Sequence, residues 1–311
     1  MGKSVALNRM HRFAEVYASS HVSVRANRGR TWLEIDDPAI LASFIAFCKI
    51  PLDSRGIAVY LRGQSRWHST VVCSLLRGAD QKRRVRRWAA YQQFLRGLPR
   101  VVRGTRFTAK NFGAVLQHYG FRTPWLDVVD DLHAAIWFAL NNCSETGGEC
   151  FYERTTADHG WIAVVAVPKN GHVLNLRNRQ SSRNVRCHAQ QGFSLAMQYD
   201  DTPVPGSSQD FMPDIVGAVR VPNTARWQLR GHRASQEYFF PPPTIDDTYR
   251  QLLGPGVTAL ARRAEKEHGL RTGTLGRAAR YRSIKTAQPS NEVLQPSAHD
   301  RSSRWEPPSI K

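Results

Sequence analysis

Two periodicities alternate along the chain. Short runs that are apolar, β-branched or aromatic occur at Thr31–Ile35, Ile57–Leu61, Trp161–Val167, Ile215–Val221 and Glu237–Phe240, and each predicts a strand. The last three stop at Pro168, Pro222 and Pro241, where a ladder loses its N–H donor. Helical spacing governs other stretches. Asp37 followed by Pro38 reads as an N-cap and first helical residue, opening a helix to about Ala46. Trp88, Tyr91 and Leu95 share one face of a helix over Gln81–Arg96. A further helix covers 108–118, and Asp130 or Asp131 caps one over 132–141; Gly147-Gly148 then marks a turn.

Helices dominate early and strands later, without regular alternation. The pattern predicts an α+β fold: N-terminal helices with a mainly antiparallel or mixed sheet completed by later strands. It divides the chain into a flexible segment 1–29, an α+β domain 30–260 whose chemistry-bearing motifs lie within 57–140, and a basic, disordered tail 261–311, since core candidates thin out after about residue 260.

Composition narrows the function. The chain has 311 residues, 41% of them hydrophobic, enough for a sizeable core. No apolar run reaches the roughly 18 residues of a membrane helix, so no membrane partner is expected. Five cysteines, odd in number and without CxxC spacing, fit neither a disulfide framework nor a zinc site. They suit a reducing cytosol, so a cytoplasmic location is expected.

Net charge is +19, and from Gln81 to Lys110 there are ten Lys/Arg and no Asp or Glu. So one-sided a block favours polyanions, with Arg83, Arg84, Arg86 and Arg87 as nucleic-acid contacts. A solvated helix face in an Arg-rich chain gives the same pattern. Trp88, Tyr91 and Phe94 interleave these arginines as in single-strand binders, yet their helical spacing also fits a core.

Phosphate-loop signatures, HExxH and GxSxG are all absent, and no histidine pair has metal-ligand spacing, so no metal is expected. Three polar clusters remain. In the first, Arg62 leaves a buried strand beside Gly63, with Gln64 and Ser65 as neutral donors. A guanidinium there can hold a phosphate or carboxylate bidentately, or pair with a carboxylate such as Asp127. The second runs from Gln117 to Asp127. His118 can serve as a base and Asp127 can orient or ionise it, while Pro124 holds Thr123 extended. The third, Arg186 to Phe193, contributes Arg186 and Gln191.

Tyr60-Leu61-Arg62-Gly63-Gln64-Ser65 with Trp67, then Leu116-Gln117-His118-Tyr119-Gly120, Thr123, Leu126-Asp127, Ala135 and Phe138-Ala139 resemble the FRG domain. That family occurs mainly in bacteria and phages. The resemblance implies a pocket for a phosphate-bearing ligand, lined by Arg62, Gly63, Gln64, Gln117, Tyr119, Thr123, Arg186 and Gln191. By analogy with ADP-ribosyltransferases it brings in NAD as cofactor. Arg62 would then clamp the phosphate, Tyr119 stack on a ring, His118 and Asp127 handle the ribose hydroxyls, and Glu237 assist transfer. A toxin or phage-defence role follows from where the family occurs. The alternative is a non-catalytic nucleic-acid-binding module that uses the 81–110 block and the tail.

Overall fold

The computed structural model describes residues 3–17, 21–27, 30–68, 73–102, 109–146, 149–168, 173–177, 185–196, 214–228 and 235–281. In chain order the elements are α1 (Lys3–Val16), β1 (Val22–Asn27), β2 (Arg30–Ile35), α2 (Pro38–Asp53), β3 (Ile57–Gln64), α3 (Gln81–Gly97), α4 (Ala109–His118), β4 (Trp125–Val129), α5 (Leu132–Leu140), β5 (Asn141–Thr146) and β6 (Glu149–Arg154). There follow β7 (His159–Pro168), β8 (Val173–Asn175), α6 (Val185–Ala189), β9 (Gly192–Ala196), β10 (Asp214–Pro222), α7 (Gln236–Phe239), α8 (Asp247–Leu252), α9 (Pro255–Glu267) and β11 (Arg280–Tyr281).

The fold is α+β. Eight strands form one mixed sheet in the order β1-β2-β10-β7-β3-β4-β9-β8, antiparallel except for the parallel pair β2/β10. A smaller sheet orders β11-β6-β5. From Ile162 to Val167 strand β7 is apolar throughout because it is covered there on both faces. Ala163, Val165 and Val167 join one core with α3, α4, α8 and α9, while Ile162, Val164 and Ala166 join the other with α1, α2 and α5. Caps sit where the sequence places them: Asp37 accepts from Ala39 N at 2.8 Å, and Asp131 from His133 and Ala134 N.

Helix α5 lies directly on the sheet. A Cβ on Gly63 of β3 would stand 2.0 Å from Ala135 O and 2.7 Å from Ala139 N; one on Gly160 of β7 would stand 2.1 Å from Ala139 O. Only glycine permits that approach. Strand β4 runs into α5 across two residues, so the same contact positions β4.

Four boundaries differ from the sequence pattern. Residues 237–240 form helix α7, not a strand, because Ser235 caps it by accepting from Tyr238 N. Helix α2 continues to Asp53, with Pro51 in its last turn at the cost of one i→i−4 hydrogen bond. The segment 1–29 holds α1 and β1, and α1 buries Met10 and Phe13 against Phe44 and Phe47. The boundary at 261 falls inside α9. Beyond that helix the buried Glu265 carboxylate accepts from Gly273 N and Leu275 N, folding 270–281 back over the Gln117–Arg122 turn. The rest of the expected tail, 282–311, lies outside the described residues.

Gly63→Ala must move α5 backbone, not a flexible side chain. It is expected to cost about 3 kcal/mol or more, read as a lowered midpoint in urea unfolding; an unchanged midpoint would show that α5 does not rest on this strand.

Candidate functional site

Strands β3 and β4 pair at one position, Leu61 with Val129, and then part. Continued, the register would set Gly63 opposite Asp127. Instead the Arg62 guanidinium donates to the Asp127 carbonyl through Nη1. A cavity of about 1010 Å³ opens beside this gap, and Arg62, Gly63, Gln117, His118 and Asp127 all line it.

Helix α4 ends in Gln117-His118, which delivers both side chains to Asp127. His118 is 5% exposed. Its Nδ1 lies 2.6 Å from Gln190 Oε1, and Gln190 Nε2 in turn donates to Phe239 O at 2.9 Å. The second bond fixes the amide with its oxygen toward the ring, so Nδ1 carries a proton. Nε2 stands 3.2 Å from Asp127 Oδ1, in ion-pair range but out of line for a hydrogen bond. Gly192 makes room for the imidazole: a Cβ on it would stand 2.8 Å from His118 Cε1.

Gln117 is oriented in the same way. Its Oε1 accepts from Thr123 Oγ1 at 2.8 Å and Ser74 Oγ at 3.1 Å, and its amide hydrogens serve Asp127. Ser194 Oγ approaches Asp127 Oδ1 at 3.4 Å. Burial pushes the Asp127 carboxyl above the usual carboxylate range, against the pull of His118, Arg62, Gln117 and Ser194. Burial likewise draws Arg62 below the usual guanidinium value, with Asp127 opposing.

Other residues expected at the site lie behind it. Thr123 is fully buried; its hydroxyl also accepts from Trp125 N and shapes the turn. Tyr119 is fully buried too and donates to both oxygens of Asp246, so it offers no face for a ligand ring. Arg186 is sealed from solvent. Its guanidinium lies over Tyr249, Tyr119, Tyr281 and Phe240 at 4.2–5.3 Å, and Nη1 donates to His118 O at the C-terminus of α4. Gln191 holds the turn into β9 at φ 50°, its amide bound to Arg177 and His188 O. Gln64 accepts from His68 N at 3.2 Å. Glu237, on α7, is absent from the cavity wall.

The basic block resolves in the same way. Arg84 donates to Ala79 O, Arg86 to Gly269 O, and Arg87 to Leu75 O and Arg77 O; Arg83 is exposed and pairs with Asp80. Three of these four guanidiniums therefore fasten loops to α3.

Ser74, Gln190, Gly192, Ser194 and Asp246 complete the arrangement without having been singled out for it. Gln190 and Gly192 stand in a visible polar cluster. Asp246 carries only the sign of a helix cap, and it accepts from Tyr249 N and Arg186 N as well as Tyr119. Among the described residues no group of His, Cys, Asp and Glu could hold a metal, and no helix is long and apolar enough to cross a membrane.

The family model of the FRG domain matches residues 57–147, from the start of β3 to just past β5, and the chain carries an FRG domain there. The match contains Arg62, Gly63, Gln117, His118 and Asp127, while Gln190 and Ser194 lie outside it. No curated protein and no solved structure matches the chain.

Two outcomes follow. Because the folded Asp127 keeps its proton to higher pH than the unfolded chain does, its charge weakens the fold as pH rises from the usual carboxylate range through the raised value, and by a constant amount above that. Asp127→Asn should therefore melt no lower than wild type at neutral pH, and the difference should vanish below the usual carboxylate range. Melting curves that stay parallel across that range would show the charge to be unpenalised. Asp246→Ala strands the buried Tyr119 hydroxyl and the main-chain N–H groups of Arg186 and Tyr249, and is expected to cost about 3 kcal/mol or more in chemical unfolding.

Proposed function

We propose that the cavity binds a phosphate-bearing ligand of nucleotide size, NAD being the fullest candidate, and that the His118–Asp127 pair handles a proton in glycosyl or ADP-ribosyl transfer. The observation that carries this reading is the meeting of Arg62 with the His118–Asp127 pair on the wall of a single cavity. The guanidinium has five donors and the Asp127 carbonyl takes one, so Arg62 keeps capacity for a phosphate. At about 1010 Å³ the space suits a dinucleotide as well as a mononucleotide.

The residues fit the group. Arg62, Arg122, Arg262 and Arg280 supply positive charge around the wall, and Leu61, Val128 and Phe138 supply apolar surface. NAD would supply a ribosyl carbon whose bond to nicotinamide can be exchanged for one to an acceptor. In that exchange His118 Nε2 or the Asp127 carboxyl would take the acceptor's proton, and Gln117 and Gln190 would hold both groups in register. Asp127 replaces Glu237 as the carboxylate of this reading, since Glu237 does not reach the wall. A toxin or phage-defence role is the setting in which such a transfer fits this family.

Within the 81–110 block Arg84, Arg86 and Arg87 are engaged with backbone carbonyls, which weakens the case for these three as nucleic-acid contacts.

A thermal-shift titration tests the binding. At about 100 times its Kd a ligand adds about 2.7 kcal/mol of stability, several degrees in Tm. NAD or ADP should give that shift in wild type, and Arg62→Ala should weaken it by about ten-fold or more. Equal shifts in both proteins would remove Arg62 from the site. His118→Ala should retain the shift and lose transfer of label from radiolabelled NAD.

A further inference from the structure

A second, smaller cavity of about 350 Å³ opens on the main sheet away from the first. Its walls are Trp32 of β2, Trp161 of β7 and Trp67 from the segment after β3, with Arg30, Arg220 and His159 around them. Strand alternation puts these groups on one face. Leu33, Val219, Val221 and Ile162 point into the core beneath α1, α2 and α5, so Trp32, Arg220 and Trp161 point the other way. Apolar cover on that opposite face begins at Ala163 and takes in no described residue of β2. Among the described residues, three indoles are thereby left half-buried on this sheet face.

Their arrangement is not that of a closed core. Trp161 meets Trp32 edge-on, with centroids 5.6 Å apart at 77°, and Trp67 at 5.3 Å and 46°. Neither pair is stacked, so a planar group could lie against an indole face without displacing a partner ring. Polar contacts surround the rings. Arg220 bonds Glu34 at 2.6 Å and His159 Nδ1 at 3.0 Å, which makes Nδ1 an acceptor and the imidazole neutral. Arg30 is exposed at the start of β2, and Arg66 is exposed next to Trp67.

Two kinds of ligand favour clustered tryptophans: cations and planar rings. Two guanidiniums and no carboxylate line this cavity, which opposes a cation and favours an aromatic ring joined to a negative group. We propose that the Trp32–Trp67–Trp161 cavity is a base-stacking site for single-stranded nucleic acid, with a neighbouring backbone phosphate on Arg30. The volume admits one base, while Arg30 and Arg66 extend the positive surface beyond it, as a continuing strand requires. The site is separate from the Arg62 cavity and does not depend on the reaction assigned there.

Fluorescence anisotropy of a labelled oligothymidylate of about a dozen nucleotides on the full chain tests this. Wild type should bind with an affinity that falls steeply with salt. Trp67→Ala should weaken binding by about ten-fold or more. Arg30→Glu, an exposed change that spares the core, should also weaken it and flatten the salt dependence. Arg62→Ala should leave it unchanged. Four results would each overturn the proposal: wild-type affinity in a folded Trp67→Ala together with Arg30→Glu; equal competition by a duplex, which would make it charge alone; displacement by thymidine monophosphate at matched nucleotide concentration, which would make it a mononucleotide pocket; or loss of binding in Arg62→Ala.

Discussion

The contact between α5 and the backbones of β3 and β7 is the constraint on which the rest of the molecule depends. Ala135 and Ala139 of the helix meet Gly63 and Gly160 of the strands so closely that no Cβ could stand between them. Because β4 runs into α5, fixing the helix on β3 also fixes β4 beside β3. Their single paired position then gives way to a gap, and Arg62 and Asp127 face each other across it. Two stretches of sequence about seventy residues apart are thus halves of one packing contact. The glycine after Arg62 serves the helix behind the sheet, while the arginine serves the cavity in front.

Around that gap the polar groups are arranged by hydrogen-bond direction as much as by charge. Gln190 can present only its oxygen to His118 because its nitrogen is committed to Phe239 O, and Gln117 can present only its nitrogen to Asp127 because its oxygen holds two hydroxyls. Two neutral amides therefore orient both members of the pair. A carboxylate held above its usual range is a cost to the folded state, and buried groups of that kind gather where chemistry or binding needs them. Behind the pair, Arg186 and Asp246 tie the end of α4 to α6, α8 and the returning segment, so the histidine rests on a rigid support.

Much of this was legible in the residues. Asp37-Pro38, Asp131 and the apolar run of β7 carry local signals that tertiary structure had no cause to override, and Arg62, Gln117, His118 and Asp127 stand in one cavity as their two motifs suggest. Tyr119 and Thr123 share the second motif but face inward. Helix α4 ends at His118, and the turn after it sends Tyr119 to Asp246 and Thr123 to Gln117; a motif records which residues matter without recording which way they point. Residues 237–240 look like a strand from their aromatic content, yet a serine cap and packing on Trp137 make them a helical turn. The return of 270–281 was illegible because it is held by a buried carboxylate, Glu265, and by long-range bonds to Tyr119, Arg122 and Tyr249 that no local pattern records.

The net charge of +19 takes on a different meaning once several of the described arginines are placed. Arg62, Arg84, Arg86, Arg87 and Arg186 all donate to main-chain carbonyls, and Arg220 bonds Glu34 and His159. A guanidinium suits that task because it presents several fixed donors and stays charged when buried, which a lysine does not. Part of the excess therefore serves internal hydrogen bonding, and total charge overstates what a polyanion would meet. What counts for a partner is where exposed arginines stand beside groups that can recognise more than charge. On the described surface, the open face of β2, β10 and β7 meets that condition through its indoles, whereas α3, with the denser row of arginines, turns its aromatic residues into the core.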